Sequence, residues 1–287
     1  MNKKPIYKTT AGEQAIMAVY EEILAEWPES TESLEVGTRH GRTHVLAHGR
    51  RDASPLVLLH GAGSNALAWG ADMPEFARDF RVYAVETPGE PGRSCHERFS
   101  WQGNAVVDWL GDVLDALGLG QTLLAGISQG GYIALRFAVA RPERVRALVL
   151  LAPGGVVPAR LGFVMRGITC SMLGRRGSAA LVRSIMGDDG VPQVAIDYMT
   201  LIFTHFRSRM DPQPLLTDGQ LRGLSMPVLL IAGGRDTIFD GEKIVERVKR
   251  LIDKAEIRLL PTTGHAFIHV ASLASPFFLS ATPAPAD

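Results

Sequence analysis

The stretch of sequence that decides the fold is Thr122-Leu123-Leu124-Ala125-Gly126-Ile127-Ser128-Gln129-Gly130-Gly131. It holds the pattern G-x-S-x-G between an apolar run typical of a strand and a stretch, 129–140, that is typical of a helix. A serine at the tip of such a sharp turn has strained backbone angles, and glycines two residues to either side let neighbouring chain pack close. With thirty glycines in the chain the pattern alone could arise by chance, but the strand before it and the helix after it favour a serine nucleophile at Ser128.

Short apolar runs alternate with longer amphipathic stretches from residue 55 onward. The runs are 56–59, 82–85, 122–125, 145–151, 228–231 and 256–260. The helical stretches are 66–79, 102–117, 129–140 and 241–252. Continuous apolar strands separated by helices are the pattern of a parallel sheet covered on both faces. We therefore predict an α/β fold with a mostly parallel central sheet flanked by helices.

The remaining stretches define the domain organisation. Apolar residues spaced three and four apart predict a helix over 11–26, within an N-terminal helical extension, 1–30, and two short strands follow at 32–38 and 42–48. Residues 154–223 contain no strand-like run, and we predict a helical cap there, inserted into a core formed by 31–153 and 224–281. The alternating Pro and Ala of 282–287 predict a flexible tail.

An acid and a histidine follow the last two predicted strands. Asp236 ends the segment 233–236, which comes directly after the run 228–232; Asp240 is a nearby alternative acid, and His265 comes after the run 256–260. Ligands of open α/β sheets bind beyond the carboxyl ends of the strands, so these side chains are expected near Ser128. A carboxylate there would hold the imidazole in the correct tautomer and stabilise its charged form.

Serine, acid and histidine in this order resemble the α/β-hydrolase fold superfamily over roughly residues 30–280. The chain looks most like the capped branch that contains esterases, C–C bond hydrolases and cofactor-free haloperoxidase-like enzymes. Its segment His60-Gly61-Ala62-Gly63 resembles the loop that helps form the oxyanion hole of that family. The resemblance implies that the amides of Ala62 and Gln129 bind the oxyanion, with Gly63 as the alternative to Ala62. The segment 86–94 is similar to a family loop, D-x-x-G-x-G-x-S, but has Glu86 for Asp and an inserted Pro, so we expect it to be scaffolding.

The predicted function is hydrolysis of a carboxylic ester or related acyl compound through an acyl-enzyme intermediate. In this superfamily haloalkane dehalogenases and epoxide hydrolases have Asp at the position of Ser128, which argues against both. Two alternatives stay open. The same three residues would serve a C–C bond hydrolase or a haloperoxidase-like enzyme, and a ligand-binding receptor would use the same fold without turnover.

Composition and spacing exclude several other functions. Thirty basic and thirty acidic residues balance, which argues against a general nucleic-acid partner. No apolar run is long enough for a membrane span, and the N-terminus has no secretory signal, so a cytoplasmic protein is expected. Two cysteines cannot form a disulfide framework. We expect a small-molecule acyl substrate and no cofactor, and the sequence leaves a homo-oligomer open.

A metal site is not expected either. His265 and His269 are four apart on a predicted helix, as in the zinc motif H-E-x-x-H, but Ala266 replaces the catalytic glutamate. His40, His44 and His48 share the spacing but lie in a predicted strand and turn, where we expect a solvated surface.

Overall fold

An eight-stranded sheet organises the chain in the computed structural model, which describes residues 4–187, 190–209 and 211–282. The strands are β1 (Glu32–Thr38), β2 (Gly41–His48), β3 (Ser54–Leu59), β4 (Phe80–Val85), β5 (Thr122–Ile127), β6 (Val145–Leu151), β7 (Val228–Gly233) and β8 (Ala255–Leu260). Their order across the sheet is β1-β2-β4-β3-β5-β6-β7-β8. Only β2 runs opposite to the others, so the prediction of a mostly parallel sheet is confirmed.

Ten α-helices accompany the sheet in the described part of the chain. They are α1 (Thr10–Ala25), α2 (Met73–Phe76), α3 (Ala105–Ala116), α4 (Gln129–Ala140), α5 (Leu161–Ser171), α6 (Gly174–Met186), α7 (Gln193–His205), α8 (Asp218–Arg222), α9 (Gly241–Leu251) and α10 (Ala271–Ser280). Short 3-10 helices occupy Ala66–Trp69 and Pro142–Arg144. None of these helices is long and apolar enough to cross a membrane.

Alternating side chains of the apolar strands build a separate core on each face of the sheet. On β3, Val57 and Leu59 join the core that contains residues of α3, α4 and α9, while Leu56 and Leu58 join the core that contains residues of α1, α2 and α10. All four side chains are fully buried. Burial on both faces explains why these strands are continuously apolar in sequence.

The described part of the segment between β6 and β7 contains four helices, α5 to α8. Helices α5, α6 and α7 pack against one another in sequence, and α7 also packs against α1. The N-terminus is tied to the end of α7, because the Lys8 amide donates to the His205 carbonyl and the Arg207 amide donates to the Ile6 carbonyl, both at 2.7 Å. The predicted tail, 282–287, lies outside the described residues except for Thr282.

Three local expectations are wrong. The stretch 66–79 is not one helix but the 3-10 helix Ala66–Trp69 followed by the four-residue α2. Residues 265–269 are not helical, since α10 begins at Ala271. His44 is not on a solvated surface: it is 1% exposed, and its Nε2 lies 2.7 Å from Ser33 Oγ. Strand β2 is paired on both sides, which places His44 inside the fold.

The glycines of the G-x-S-x-G turn are sterically required. A Cβ atom built on Gly126 would lie 2.3 Å from the Gly130 carbonyl oxygen, and a Cβ on Gly130 would lie 2.1 Å from the Leu59 carbonyl oxygen. These contacts are with backbone, which cannot rotate away as a side chain can. The turn is therefore pressed against the end of β3, which fixes Ser128 relative to the loop that follows that strand.

We expect Gly130→Ala to lower the free energy of unfolding by more than about 3 kcal/mol, since overpacking against backbone exceeds the usual cost of added methyl groups. Gly111→Ala is the matched control, because a Cβ on this α3 glycine would have its nearest neighbour 4.0 Å away, at Phe137 Cε2. That control should gain up to about 1 kcal/mol from helix propensity. Urea unfolding of both variants measures the difference, and equal stabilities would contradict the steric account.

Candidate active site

Ser128 sits at the tip of the turn between β5 and α4, with its side chain partly exposed. Its φ of 53° and ψ of −112° are unusual for a residue other than glycine, as the sequence predicts for this turn. Backbone bonds hold the strained conformation: the Ser128 amide donates to the Leu151 carbonyl, and the Gly154 amide donates to the Ser128 carbonyl, both at 2.9 Å. The neighbouring strand β6 and the chain that follows it thus support the serine.

Asp236 and His265 form a buried pair after β7 and β8. The His265 Nδ1 and Asp236 Oδ2 atoms are 2.8 Å apart, and the two side chains are 6% and 0% exposed. The other carboxylate oxygen, Oδ1, accepts hydrogen bonds from the amides of Ile238 and Phe239 at 2.7 and 3.0 Å. With both oxygens engaged, Asp236 places the ring proton on Nδ1 and leaves Nε2 available to accept a proton.

Asp240, the alternative acid that the sequence offered as a partner of His265, has a structural role. Its side chain accepts a hydrogen bond from the Lys243 amide at 3.2 Å and so caps the amino end of α9. It also forms an ion pair with Arg160 at 3.4 Å. The structure therefore pairs His265 with Asp236 and assigns Asp240 to the helix.

The serine and the acid–histidine pair lie at one edge of the sheet. Strands β3 to β8 are parallel, so their carboxyl ends meet there. Within residues 4–187, 190–209 and 211–282, neither the Ser128 hydroxyl nor His265 Nε2 has a hydrogen-bond partner. The structure thus joins Asp236 to His265 directly and leaves the serine hydroxyl unpaired at the same edge.

The loop after β3 passes beside Ser128. A Cβ atom built on Gly61 would lie 3.5 Å from Ser128 Cβ. The amides of Ala62 and Gln129 have no acceptor in the described part of the chain, whereas the Gly63 amide donates to Glu90 Oε2 at 2.7 Å. Because the Gly63 amide is engaged, the geometry favours Ala62 over Gly63 as an oxyanion donor, and the Gln129 amide is also available.

His60 holds the base of the same loop. Its Nε2 lies 3.0 Å from the Thr87 amide, which can only donate, so Nε2 accepts and Nδ1 has the proton. The protonated Nδ1 then donates to the Gly61 carbonyl at 2.8 Å. Complete burial lowers the pKa of His60, which favours this neutral form. The ring therefore links the ends of β3 and β4 without adding charge.

Glu90 is a site residue that the sequence analysis missed. Its buried carboxylate accepts hydrogen bonds from the Gly63 amide, at Oε2, and from the Gln129 side chain, at Oε1 and 3.0 Å. Burial raises the pKa of Glu90. The residue connects the two segments that hold the available amides. The segment 86–94 was expected to be scaffolding. The presence of two glutamates in it, Glu86 and Glu90, was the one feature of the sequence that indicated a further role.

The other glutamate of that segment, Glu86, orders the loop itself. Its carboxylate accepts hydrogen bonds from the Tyr20 hydroxyl at 2.9 Å and from the amides of Arg93 and Ser94 at 2.6 and 3.2 Å. Glu86 therefore holds the loop in place through these three hydrogen bonds. Because Tyr20 belongs to α1, its hydrogen bond also connects the N-terminal helix to this loop.

Helix α7 lies over the loop after β3. The Tyr198 hydroxyl is 2.9 Å from Asn65 Nδ2, and a Cβ atom built on Gly63 would be 3.2 Å from Phe203 Cε2. Asn65 Nδ2 also donates to the Pro91 carbonyl at 2.9 Å. These contacts connect the helical segment between β6 and β7 to the loops that surround Ser128.

Known proteins are similar to this chain over most of its length. The model of the alpha/beta hydrolase family matches residues 56–275. An uncharacterized carboxylesterase, nap, of Bacillus subtilis is 30% identical over 273 residues, which cover 91% of this chain and 88% of that protein. Carboxylesterase YbfK of the same organism is 28% identical over 254 residues, or 86% of each chain.

A solved structure gives the same result for the whole fold. The crystal structure of naproxen esterase, carboxylesterase NP, from Bacillus subtilis superposes with a TM-score of 0.86 at 26% identity and covers 94% of this chain and 99% of that one. The match to the family model spans most of the chain and includes the turn at Ser128, the loop after β3 and the pair after β7 and β8. The chain belongs to the α/β-hydrolase family.

Proposed function

We propose that this protein hydrolyses carboxylic esters of small molecules through Ser128, His265 and Asp236. The observation on which the proposal depends is the Asp236–His265 hydrogen bond of 2.8 Å, at the sheet edge where the strained turn exposes Ser128. Two relatives that match 91% and 86% of the chain are carboxylesterases, which supports an ester substrate over the C–C bond and haloperoxidase-like alternatives. The expected compartment is the cytoplasm.

In the acylation step, His265 Nε2 accepts the proton of the Ser128 hydroxyl while Oγ bonds to the ester carbonyl carbon. The carbonyl oxygen becomes an oxyanion, and the amides of Ala62 and Gln129 donate to it. One such donor typically lowers the barrier by about 3 to 4 kcal/mol. The tetrahedral intermediate then expels the alcohol, which takes the proton from His265, and leaves an acyl group on Ser128.

In the deacylation step, His265 accepts a proton from water while the water oxygen bonds to the acyl carbon. The second tetrahedral intermediate uses the same amides, and Ser128 leaves with the proton from His265. The Asp236 carboxylate stabilises the imidazolium in both steps. Residues 154–223 act as the cap of this site, since Tyr198 and Phe203 of α7 contact the loop that holds Ala62.

Labelling with a fluorophosphonate tests the nucleophile. The native chain should react covalently, and Ser128→Ala should lose both the label and hydrolysis of a p-nitrophenyl ester by roughly 10⁴-fold or more. Ser171→Ala, which removes an exposed hydroxyl on α5, is the matched control and should behave as the native chain. Labelling that persists in Ser128→Ala would refute the assignment, and turnover of a vinylogous diketone without turnover of any ester would favour C–C bond hydrolysis.

Variants of Asp236 and Asp240 test which of the two carboxylates is catalytic and which is structural. Asp236→Asn should lower kcat by roughly 10⁴-fold, because the amide stabilises the wrong tautomer of His265. Asp240→Asn should change kcat little and cost at most about 1 kcal/mol of stability, since Asn also caps helices. Steady-state kinetics with thermal unfolding measures both effects. The reverse ranking of the two kcat values would contradict the pairing.

Glu90 is expected to position the oxyanion amides. Glu90→Leu removes the acceptor of the Gly63 amide, a loss of about 1 to 3 kcal/mol that should appear as a 5- to 100-fold lower kcat with little change in KM. Glu90→Gln should retain most of kcat, because its carbonyl accepts from Gly63 and its amide donates to a rotated Gln129 side chain. Native kcat in Glu90→Leu, or equal loss in both variants, would contradict this role.

A further inference from the structure

Helix α5 presents its apolar side to solvent. Five large apolar side chains recur at helical spacing and are all exposed: Leu161, Val164, Met165, Ile168 and Met172. At 100° per residue these positions fall within about 100° of the helix circumference. The inner side of the helix is marked by Cys170, which is 8% exposed and lies on the opposite side of the same wheel. An amphipathic helix at the surface of a globular protein ordinarily turns its apolar side toward the core and its polar side toward solvent.

The exposure of this face is large. Leu161 is 75% exposed, Met165 is 53% exposed and Met172 is 79% exposed, and Leu173 directly after them is 66% exposed. Six of the eleven exposed large hydrophobic residues of the described chain lie between positions 161 and 173. Such a concentration marks an interaction surface, whereas isolated exposed apolar residues are ordinary. We call Leu161, Val164, Met165, Ile168, Met172 and Leu173 the outer face of the cap.

Positive charge adjoins one end of the outer face, where Arg175 and Arg176 follow Leu173 along the chain, whereas Arg166 lies on the other side of α5. The sequence from Pro158 to Gly187 contains five arginines and no acidic residue, and the first acids after it are Asp188 and Asp189. Arg160 pairs with Asp240, but Arg166, Arg175 and Arg176 are exposed and form no ion pair within the described residues. Arg175 and Arg176 lie in the first turn of α6, where the helix dipole disfavours cations. Their position therefore does not serve the stability of α6.

We propose that the outer face of the cap docks on an anionic lipid bilayer. Apolar side chains flanked by arginines fit a membrane interface, where the former enter the acyl region and the latter meet phosphate headgroups. A second copy of the chain fits less well, because a two-fold contact would bring the same unpaired arginines of both copies together. The bilayer supplies the negative charge that the described surface lacks at this position.

Flotation with vesicles tests the docking, and it requires no substrate, so it is independent of the proposed ester hydrolysis. The full chain is mixed with phosphatidylcholine vesicles that contain either no phosphatidylglycerol or about 30% of it. We expect binding to the anionic vesicles and release as the salt concentration rises, because headgroup attraction is screened. Equal binding to both vesicle types, or to neither, would overturn the proposal.

Two double variants locate the contact. Arg175→Gln with Arg176→Gln should weaken binding by about fivefold for each arginine. Met165→Ser with Ile168→Ser should weaken it by about tenfold or more, through loss of buried apolar area. The matched control combines Leu279→Ser and Arg258→Gln, an exposed apolar residue and an exposed arginine outside the cap, and should bind as the native chain.

Thermal unfolding of each variant checks that it is folded, and substitutions at exposed positions should change the midpoint little. Vesicle binding that the cap variants retain would overturn the assignment of the outer face. Sedimentation of the free protein provides the remaining comparison. A dimer that forms without lipid and that Met165→Ser with Ile168→Ser abolishes would assign the face to a second copy and overturn lipid docking.

Discussion

Close packing of backbone on backbone at the end of β3 is the constraint on which the site depends. The turn after β5 approaches the Leu59 and His60 carbonyls so closely that Gly130 has no room for a Cβ atom. The same approach brings Gly61 against Ser128, so the loop after β3 and the strained serine are positioned by one contact. Electrostatic stabilisation requires donors fixed before the reaction, and a backbone contact provides this rigidity more reliably than flexible side chains do.

Hydrogen bonds to two buried side chains, Glu90 and His60, hold the parts of these loops that the glycine packing does not fix. Glu90 connects Gly63 to the Gln129 side chain, and the neutral His60 ring connects Gly61 to Thr87. Both groups are buried, and both have their hydrogen-bonding atoms engaged, which offsets the cost of removing polar atoms from water. Because Glu90 occupies the Gly63 amide, its contact favours Ala62 over Gly63 as the proposed oxyanion donor, a choice that the resemblance to the family left open.

The sequence predicted the sheet, the turn at Ser128 and the positions of Asp236 and His265 after β7 and β8, because these signals are local. The strands β3 to β7 are buried on both faces, so each is a continuous apolar run, and Ser128 lies in a turn whose glycines are required by packing. The errors arise where long-range contacts decide. The segment 265–269 was expected to be helical, but His265 binds Asp236 and α10 is instead capped by Asp72, whose Oδ1 accepts from the Ala271 amide across 199 residues. Glu90 was missed for the same reason, since its partners follow different strands.

The helices of the proposed cap differ in what they contact, and this difference bears on the proposed docking to lipid. Its inner contacts, Tyr198 with Asn65 and Phe203 beside Gly63, are specific and tie α7 to the loops around the serine. Helix α5 packs against α6, and its apolar side chains are exposed to solvent. Apolar esters partition into lipid, so a cap that contacts a bilayer on one side and the catalytic loops on the other would shorten the path of such a substrate. Docking through α5 would leave the α7 contacts intact, because the two faces use different helices.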